Sequence, residues 1–176
     1  MFAERVTASL VGELGEAALR LRYLLKMAGE QNPVRRFLDH ETPSWIKGSP
    51  EYFLTVCCAI RGQDQLCIGS TPNRLLDSIS YRQSLGQWWI ELALIMPDHI
   101  HMITSFHPEM EMKRVIGDWK RFTARNLKVN WQRDFFDHRL RSPESAEQKF
   151  QYVLENPVRA GLVSQASDWP YFWTPR

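Results

Sequence analysis

Two apolar segments around a short turn constrain this chain more than any other feature. Trp88–Ile95 (WWIELALI) and His99–Ser105 (HIHMITS) are separated only by Met96-Pro97-Asp98. Segments of this composition around a proline-containing turn predict an antiparallel β-hairpin. Because side chains alternate along a strand, His99 and His101 are expected on the same face. Two neutral imidazoles on one face are half of a metal site.

The remaining hydrophobic pattern predicts one more strand and four helices. We expect a strand at Tyr52–Ile60 and helices at Leu10–Ala28, Pro72–Leu85, Glu111–Lys128 and from Pro143 to before Asn156-Pro157. Ser142 can cap the last of these, and Pro143 suits its first position. An aromatic segment precedes that helix. Antiparallel strands followed by helices predict an α+β fold rather than a parallel α/β fold.

Length and composition limit the domain organisation. A chain of 176 residues that is 44% apolar, with seven tryptophans, is expected to form one packed domain. We assign residues 46–176 to this domain and residues 1–45 to a helical extension and linker. The extension could cover the sheet, mediate self-association or, through Arg20, Arg22, Arg35 and Arg36, contact nucleic-acid phosphate.

The cysteines indicate the cellular compartment, whereas the net charge says little about binding partners. The three cysteines form no C-x-x-C pair, and the first residues show no apolar signal core, so a cytoplasmic protein without a membrane segment is expected. Net charge is only +2, so the distribution of cations matters more than their sum.

The helix at Glu111–Lys128 combines an apolar arc with a basic surface. The helix carries six cationic residues and only two anionic ones, Glu111 and Asp118. One interpretation is an ordinary solvated helix face, and the other is a surface that binds nucleic-acid phosphate. The cations are Lys113, Arg114, Lys120, Arg121, Arg125 and Lys128. The apolar arc consists of Met112, Val115, Ile116, Trp119, Phe122 and Leu127.

Tyr152 stands on the polar side of the last helix. At about 100° per residue it lies roughly 145° from the centre of the apolar stripe formed by Ala146, Phe150, Val153 and Leu154. A surface tyrosine and a chemically active one both fit this position. Asn156 follows four residues later and so shares a face with Tyr152. With His99 and His101, Asn156 would complete a three-ligand site whose nitrogen and oxygen donors suit Mg²⁺ or Mn²⁺.

Several stretches in a fixed order resemble a known family. The chain is similar to the single-tyrosine HUH transposases, and among them to the REP-associated tyrosine transposases of bacteria, over roughly residues 46 to 170. The resemblance rests on Glu51-Tyr52-Phe53-Leu54-Thr55, Met96-Pro97-Asp98-His99-Ile100-His101, Trp119-Lys120-Arg121-Phe122-Thr123, the run from Trp131 to Arg141, and the run from Tyr152 to Val163.

This resemblance implies both a fold and a reaction. The fold would be a ferredoxin-like antiparallel sheet with helices packed on it, the HUH nuclease core. The activity would be cleavage and rejoining of single-stranded DNA at repeat hairpins, by a monomer or a homodimer. Carried over by position, His99 and His101 are the metal ligands, Tyr152 is the nucleophile that forms a 5′-phosphotyrosine, and Asn156 stands where a third ligand is expected.

Further polar residues in these motifs are candidates for DNA contact. They are Arg133, His138, Arg139, Lys149 and Arg159, in addition to the six cations of the basic helix. Interleaved aromatic residues could stack on unpaired bases, and they could equally belong to the core. His138 is as well explained by a structural hydrogen bond as by catalysis or DNA contact.

Two other function classes remain to be compared. The first is a domesticated protein that binds hairpin DNA without cutting it. The second is a hydrolase that uses the H-x-H pair differently. A histidine-triad enzyme needs a third alternating histidine where this chain has Ile103, and a two-histidine phosphoesterase needs two separate H-x-T/S elements. Both hydrolase patterns are therefore disfavoured.

Overall fold

The computed structural model describes residues 49–175, apart from the side chains of residues 143 and 144. The helix expected at Leu10–Ala28 and the boundary of the N-terminal extension lie outside these residues. Within them no helix has the length and apolarity needed to cross a membrane. The elements in chain order are β1 (Glu51–Cys57), α1 (Thr71–Ser84), β2 (Trp88–Met96), β3 (His99–Phe106), α2 (Met112–Leu127), β4 (Phe136–Arg139), α3 (Pro143–Leu154), α4 (Asn156–Arg159), a 3₁₀ turn (Ala166–Asp168) and β5 (Phe172–Trp173).

The strands form one five-stranded sheet in the order β4-β1-β3-β2-β5. Every neighbouring pair is antiparallel. The first six elements follow a β-α-β-β-α-β order, which is the ferredoxin-like arrangement. The predicted α+β fold with an antiparallel sheet is therefore confirmed.

The predicted hairpin is confirmed, and its turn is tighter than the spacing indicated. Met96 pairs with His99, so the loop consists of Pro97 and Asp98 alone. On its other edge β3 pairs with β1, where Cys57 lies opposite His99 and Thr55 lies opposite His101. Directly opposed residues of an antiparallel pair share a face, so these pairings decide which side of the sheet receives the two histidines.

Helices α1 and α2 cover the other face of the sheet. The indole ring of Trp119 from α2 packs edge-on against that of Trp88 from β2, with ring centroids 6.0 Å apart. Both side chains are fully buried. The Trp119 indole nitrogen donates to the Ser78 hydroxyl of α1 at 2.9 Å, and that of Trp88 donates to the Ile79 carbonyl at 3.0 Å. These bonds give both indole nitrogens a partner inside the core, as burial requires.

Several details differ from the sequence-based predictions, among them the following three. The first strand ends at Cys57 rather than Ile60, and Cys58 makes an isolated bridge with Trp131. The aromatic segment before the last helix contains the edge strand β4, whose short pairing with β1 leaves no long alternating pattern to recognise. Phe122 is 45% exposed instead of lying in the buried arc of its helix, because Met112, Val115, Ile116 and Trp119 already fill the contact with the sheet.

Replacing Trp119 with alanine should destabilise the fold strongly. The substitution empties a fully buried site and removes the bond to Ser78, which corresponds to a loss of about 3–5 kcal/mol in the free energy of unfolding. Urea denaturation measures it. Trp89→Ala is the matched control, since Trp89 is 41% exposed, and its loss should be about 1 kcal/mol or less. Equal losses in the two variants would contradict the described core.

Candidate metal and nucleophile site

The two histidines of β3 meet through the same ring atom. His99 Nε2 lies 3.1 Å from His101 Nε2, and the two rings are nearly perpendicular. Both side chains are buried on the face of the sheet opposite α1 and α2. The predicted clustering of two imidazoles on one face is thus observed, and each ring directs Nε2 toward the other.

The second nitrogen of each ring is held by a side chain of the protein. His99 Nδ1 donates to Asp98 Oδ1 at 2.7 Å. His101 Nδ1 lies 3.0 Å from the hydroxyl of Thr55, the residue paired with it on β1. A carboxylate on Nδ1 fixes the tautomer of His99 so that its Nε2 carries a lone pair. A hydroxyl can donate or accept, so Thr55 accommodates either tautomer of His101.

Asp98 joins the hairpin turn to the loop after β1. Its side chain is fully buried, its Oδ2 accepts from the Gly62 backbone N–H at 2.8 Å, and the same oxygen forms an ion pair with Arg61, whose Nε lies 3.2 Å away. Its backbone carbonyl accepts from the Cys58 N–H at 2.8 Å. Gly62 adopts a positive φ of 72°, which suits glycine at this close approach. A single carboxylate therefore organises both the loop and His99.

Burial sets the protonation of the histidine pair. It lowers the pKa of His99 despite the opposing hydrogen bond and charge of Asp98. It lowers the pKa of His101 further, and the charges of His99, Arg61, Arg159 and Lys149 act in the same direction. For Asp98, burial alone would raise the pKa, but the His99 bond, the Arg61 charge and the Gly62 N–H outweigh it and the pKa falls. A neutral imidazole pair beside an ionised carboxylate results.

The donor set fits two positions of a metal site. Two imidazole nitrogens at about 2.1 Å from one ion lie roughly 3.0–3.4 Å apart at ordinary ligand angles, which matches the separation of His99 Nε2 and His101 Nε2. Ligating histidines usually have their other nitrogen held by a carboxylate or oxygen, as both do here. Among the described residues no cluster of three or more His, Cys, Asp or Glu side chains could hold an ion. Within the described part of the chain, further ligands would be amide, water or substrate oxygens.

Helix α3 carries Tyr152 over the histidine face. The helix starts with a capping box, in which the Ser142 side chain accepts from the Ser145 N–H and the Ser145 side chain accepts from the Ser142 N–H. Val153 is fully buried, whereas Tyr152 is 48% exposed. The predicted displacement of Tyr152 from the apolar stripe is therefore observed. Its ring is available at the surface of the site instead of being used in the core.

Two side chains connect Tyr152 with the histidine pair. Lys149, one turn earlier on α3, places its Nζ 4.7 Å from the centre of the Tyr152 ring and 4.6 Å from that of the Phe53 ring. Phe53, on β1, stacks on the His101 ring with centroids 5.3 Å apart. The nucleophile candidate and a metal-ligand candidate are thus joined by a continuous series of packed groups.

The end of α3 is fastened by Arg159 and Asn156. The guanidinium of Arg159 lies 4.0 Å from the centre of the Tyr152 ring and donates to the Tyr152 carbonyl at 2.6 Å. The Asn156 amide nitrogen donates to the carbonyls of Tyr152 and Val153, each at 3.2 Å. Only the amide oxygen of Asn156 can act as a metal ligand. Its assignment as third ligand stays a prediction.

The predicted DNA contacts are distributed unevenly. Most of these side chains are exposed or half-buried, namely Lys113, Arg114, Arg121, Arg125, Lys128, Arg133, His138, Arg139, Lys149 and Arg159. Lys120 is an exception, because it is 9% exposed and its Nζ donates to the carbonyls of Arg133 at 3.0 Å and Asp134 at 3.3 Å. In this conformation Lys120 stabilises the loop before β4 and does not present a charge to DNA.

A separate cavity of about 410 Å³ lies between α1 and α2. Tyr81, Arg82, Leu85 and Phe122 are among its lining residues. It belongs to the layer on the opposite face of the sheet from the histidines, so it contributes nothing to the candidate site.

Sequence reasoning missed the supporting residues of the site. Thr55, Phe53 and Arg61 act only through strand pairing and loop closure, which the linear sequence does not display. Asp98 lies beside His99 in the same motif, and a carboxylate next to a candidate metal ligand was a usable signal.

Comparison with known proteins gives consistent matches. A family model described as "Transposase IS200 like" matches residues 53–141, just over half of the chain. These residues include the histidine pair and end before Tyr152. An Escherichia coli K12 protein described as a REP-associated tyrosine transposase is 35% identical over 87 residues, which cover 47% of this chain and 52% of that protein. A relative from Haemophilus influenzae is 26% identical over 112 residues, or 52% of this chain and 63% of its own length.

A solved structure extends the similarity across most of the fold. It is described as a REP-associated tyrosine transposase bound to a REP hairpin, and it matches with a TM-score of 0.63 and 27% identity, covering 81% of this chain and 82% of its own. The two sequence relatives are each matched over less than two thirds of their length. The chain belongs to the IS200-like transposase family and is similar to REP-associated tyrosine transposases.

Proposed function

We propose that this protein is a metal-dependent endonuclease and strand transferase that acts on single-stranded DNA at repeat hairpins through a covalent 5′-phosphotyrosine. The observation that carries the proposal is the convergence of His99 Nε2 and His101 Nε2 beneath the helix that presents Tyr152. The similar protein whose structure is described as bound to a REP hairpin supports hairpin DNA as the partner.

His99 and His101 would hold Mg²⁺ or Mn²⁺, with Asn156 as the candidate third ligand. A bound divalent ion would neutralise charge on the scissile phosphate and help to orient it. Asp98 and Thr55 keep the two rings in position through their Nδ1 atoms. Burial keeps both imidazoles neutral, as ligation requires, because their lowered pKa values place protonation below the ordinary histidine range.

Tyr152 supplies the nucleophile. A bond forms between its phenolic oxygen and phosphorus while the bond from phosphorus to the 3′ oxygen breaks. The phenol proton passes to water, and the departing 3′ oxygen takes a proton from water. The products are a 5′-phosphotyrosine and a free 3′-OH, and attack by another 3′-OH reverses the step on a second strand. Because the phosphate ester is exchanged and not hydrolysed, rejoining needs no ATP.

Replacing Tyr152 with phenylalanine should abolish covalent capture of DNA. Wild-type protein incubated with Mn²⁺ and a hairpin from the repeats flanking its gene should give an adduct that survives denaturing electrophoresis. Tyr152→Phe should give none, because only the phenolic oxygen is removed, and its affinity for the hairpin in a gel-shift assay should be unchanged. Tyr81→Phe is the matched control, since Tyr81 is exposed on α1 and should keep the wild-type adduct yield.

An undiminished adduct in Tyr152→Phe would remove this residue from the mechanism. Tight hairpin binding by wild type without adduct in either Mg²⁺ or Mn²⁺ would contradict the proposed reaction. It would favour a DNA-binding protein without cleavage activity.

Metal binding should depend on the histidine pair and on its carboxylate. We expect His99→Ala and His101→Ala to abolish Mn²⁺ binding, and Asp98→Asn to weaken it about 10–100-fold because the amide no longer orients His99 with a full charge. Electron paramagnetic resonance of free Mn²⁺ measures the affinity without any DNA. His107→Ala is the matched control, because His107 stacks on Trp89 near the end of β3 away from the pair. Equal Mn²⁺ affinity in His101→Ala and His107→Ala would refute the site.

A further inference from the structure

We propose that Lys149 is a catalytic residue that contacts the scissile phosphodiester through its ammonium group. This role rests on the proposed strand-transfer function and goes beyond general DNA binding. It places one lysine directly at the phosphate that Tyr152 attacks.

Lys149 lies between the two halves of the candidate site. Its Nζ is 4.7 Å from the centre of the Tyr152 ring and 4.6 Å from that of the Phe53 ring. Phe53 in turn stacks on His101. The ammonium therefore occupies the space between the nucleophile and a metal-ligand candidate, the region that the reacting phosphate must reach. Lys149 and Tyr152 are three residues apart on α3, so they share one helical face.

The contacts of the ammonium leave it ready for an anion. Among the side chains that the structure describes, no carboxylate pairs with Lys149, and its Nζ lies against two aromatic rings. An ammonium that rests on the faces of aromatic rings still has N–H groups free to donate. A charge-assisted hydrogen bond to a phosphate oxygen is stronger than these cation–π contacts. The site thus offers an ammonium group that is held in position and has no competing carboxylate among the described side chains.

Neighbouring cations have other tasks. Arg159 is anchored by its bond to the Tyr152 carbonyl, so it positions the end of α3. Lys120 is buried against two backbone carbonyls on another part of the fold. Arg61 forms an ion pair with Asp98. Of these cations, Lys149 is the one whose location and partners both fit contact with substrate.

The chemical consequence is stabilisation of charge on a non-bridging oxygen. As the deprotonated Tyr152 oxygen bonds to phosphorus and before the 3′ oxygen has left, part of the incoming negative charge is shared with the non-bridging oxygens, so their charge rises above that of the bound phosphodiester. An ammonium already in place at that point stabilises the transition state more than the bound ground state. Lys149 transfers no proton in this step, so the proton balance of the reaction is unchanged.

Single-turnover adduct formation at saturating hairpin DNA and Mn²⁺ tests the proposal. In Lys149→Met the rate should fall about 100-fold, the size of effect seen when one oxyanion-stabilising donor is removed. Lys149→Arg should recover most of the rate, because it restores the charge. Gln151→Met, an exposed position on the same helix, is the control and should match wild type. Hairpin affinity and the thermal unfolding midpoint should be unchanged in Lys149→Met.

A substrate analogue separates contact from a structural role. A methylphosphonate at the scissile position lacks the charge of one non-bridging oxygen. With this substrate the difference between wild type and Lys149→Met should narrow, whereas damage to the helix would leave it unchanged.

The outcomes distinguish the role of Lys149 from the function on which it rests. A wild-type adduct with an equal rate in Lys149→Met would overturn the role of Lys149 alone. That role is also overturned if the rate of adduct formation in Lys149→Met falls only as far as its affinity for the hairpin falls. The same holds if the rate difference between wild type and Lys149→Met is as large with the methylphosphonate as with the ordinary phosphodiester. Absence of any adduct in wild type would overturn both.

Discussion

The pairing of β3 with its neighbours is the constraint on which the candidate site depends. Thr55 opposite His101 and Cys57 opposite His99 place both imidazoles on the face away from α1 and α2. Since side chains alternate, a slip of one residue would turn both histidines into the layer filled by Trp88 and Trp119. The two-residue turn at Pro97-Asp98 allows little freedom for such a slip. The burial of apolar side chains on one face and the position of the two histidines on the other therefore require the same register of β3.

Asp98 extends this constraint from the strands to the loop. A buried carboxylate without partners would be costly, and here Asp98 accepts hydrogen bonds from His99 and Gly62 and forms an ion pair with Arg61. The turn, the loop after β1 and a metal-ligand candidate consequently depend on one charge. Moving the loop would leave the carboxylate short of donors, and moving the ring would do the same. Such shared dependence is how a fold keeps two imidazoles in position before any ligand arrives.

The sequence predicted the parts of the site that follow from local periodicity. Alternation along β3 predicted that His99 and His101 share a face, and the 3.6-residue period of α3 predicted that Tyr152 lies off the apolar stripe. The same periodicity wrongly predicted that Phe122 is buried. The apolar arc of this sixteen-residue helix is wider than the part of its surface that contacts the sheet, so Phe122 stays exposed. Edge strands β4 and β5 were missed since they pair over only four and two residues. Phe53 could not be recognised as the link to His101 because that contact requires tertiary packing.

The distribution of positive charge explains how a chain of net charge +2 could handle a polyanion. Exposed cations on α2, such as Arg114 and Arg125, lie on the layer opposite the histidines and would contact DNA away from the candidate site. Lys149 and Arg159, by contrast, stand against the Tyr152 ring. Charges on the surface of α2 would hold a DNA strand in general, while Lys149, in the role proposed for it, would act on a single phosphate. A fold that separates these tasks on two faces can bind DNA broadly and still direct its chemistry to one bond.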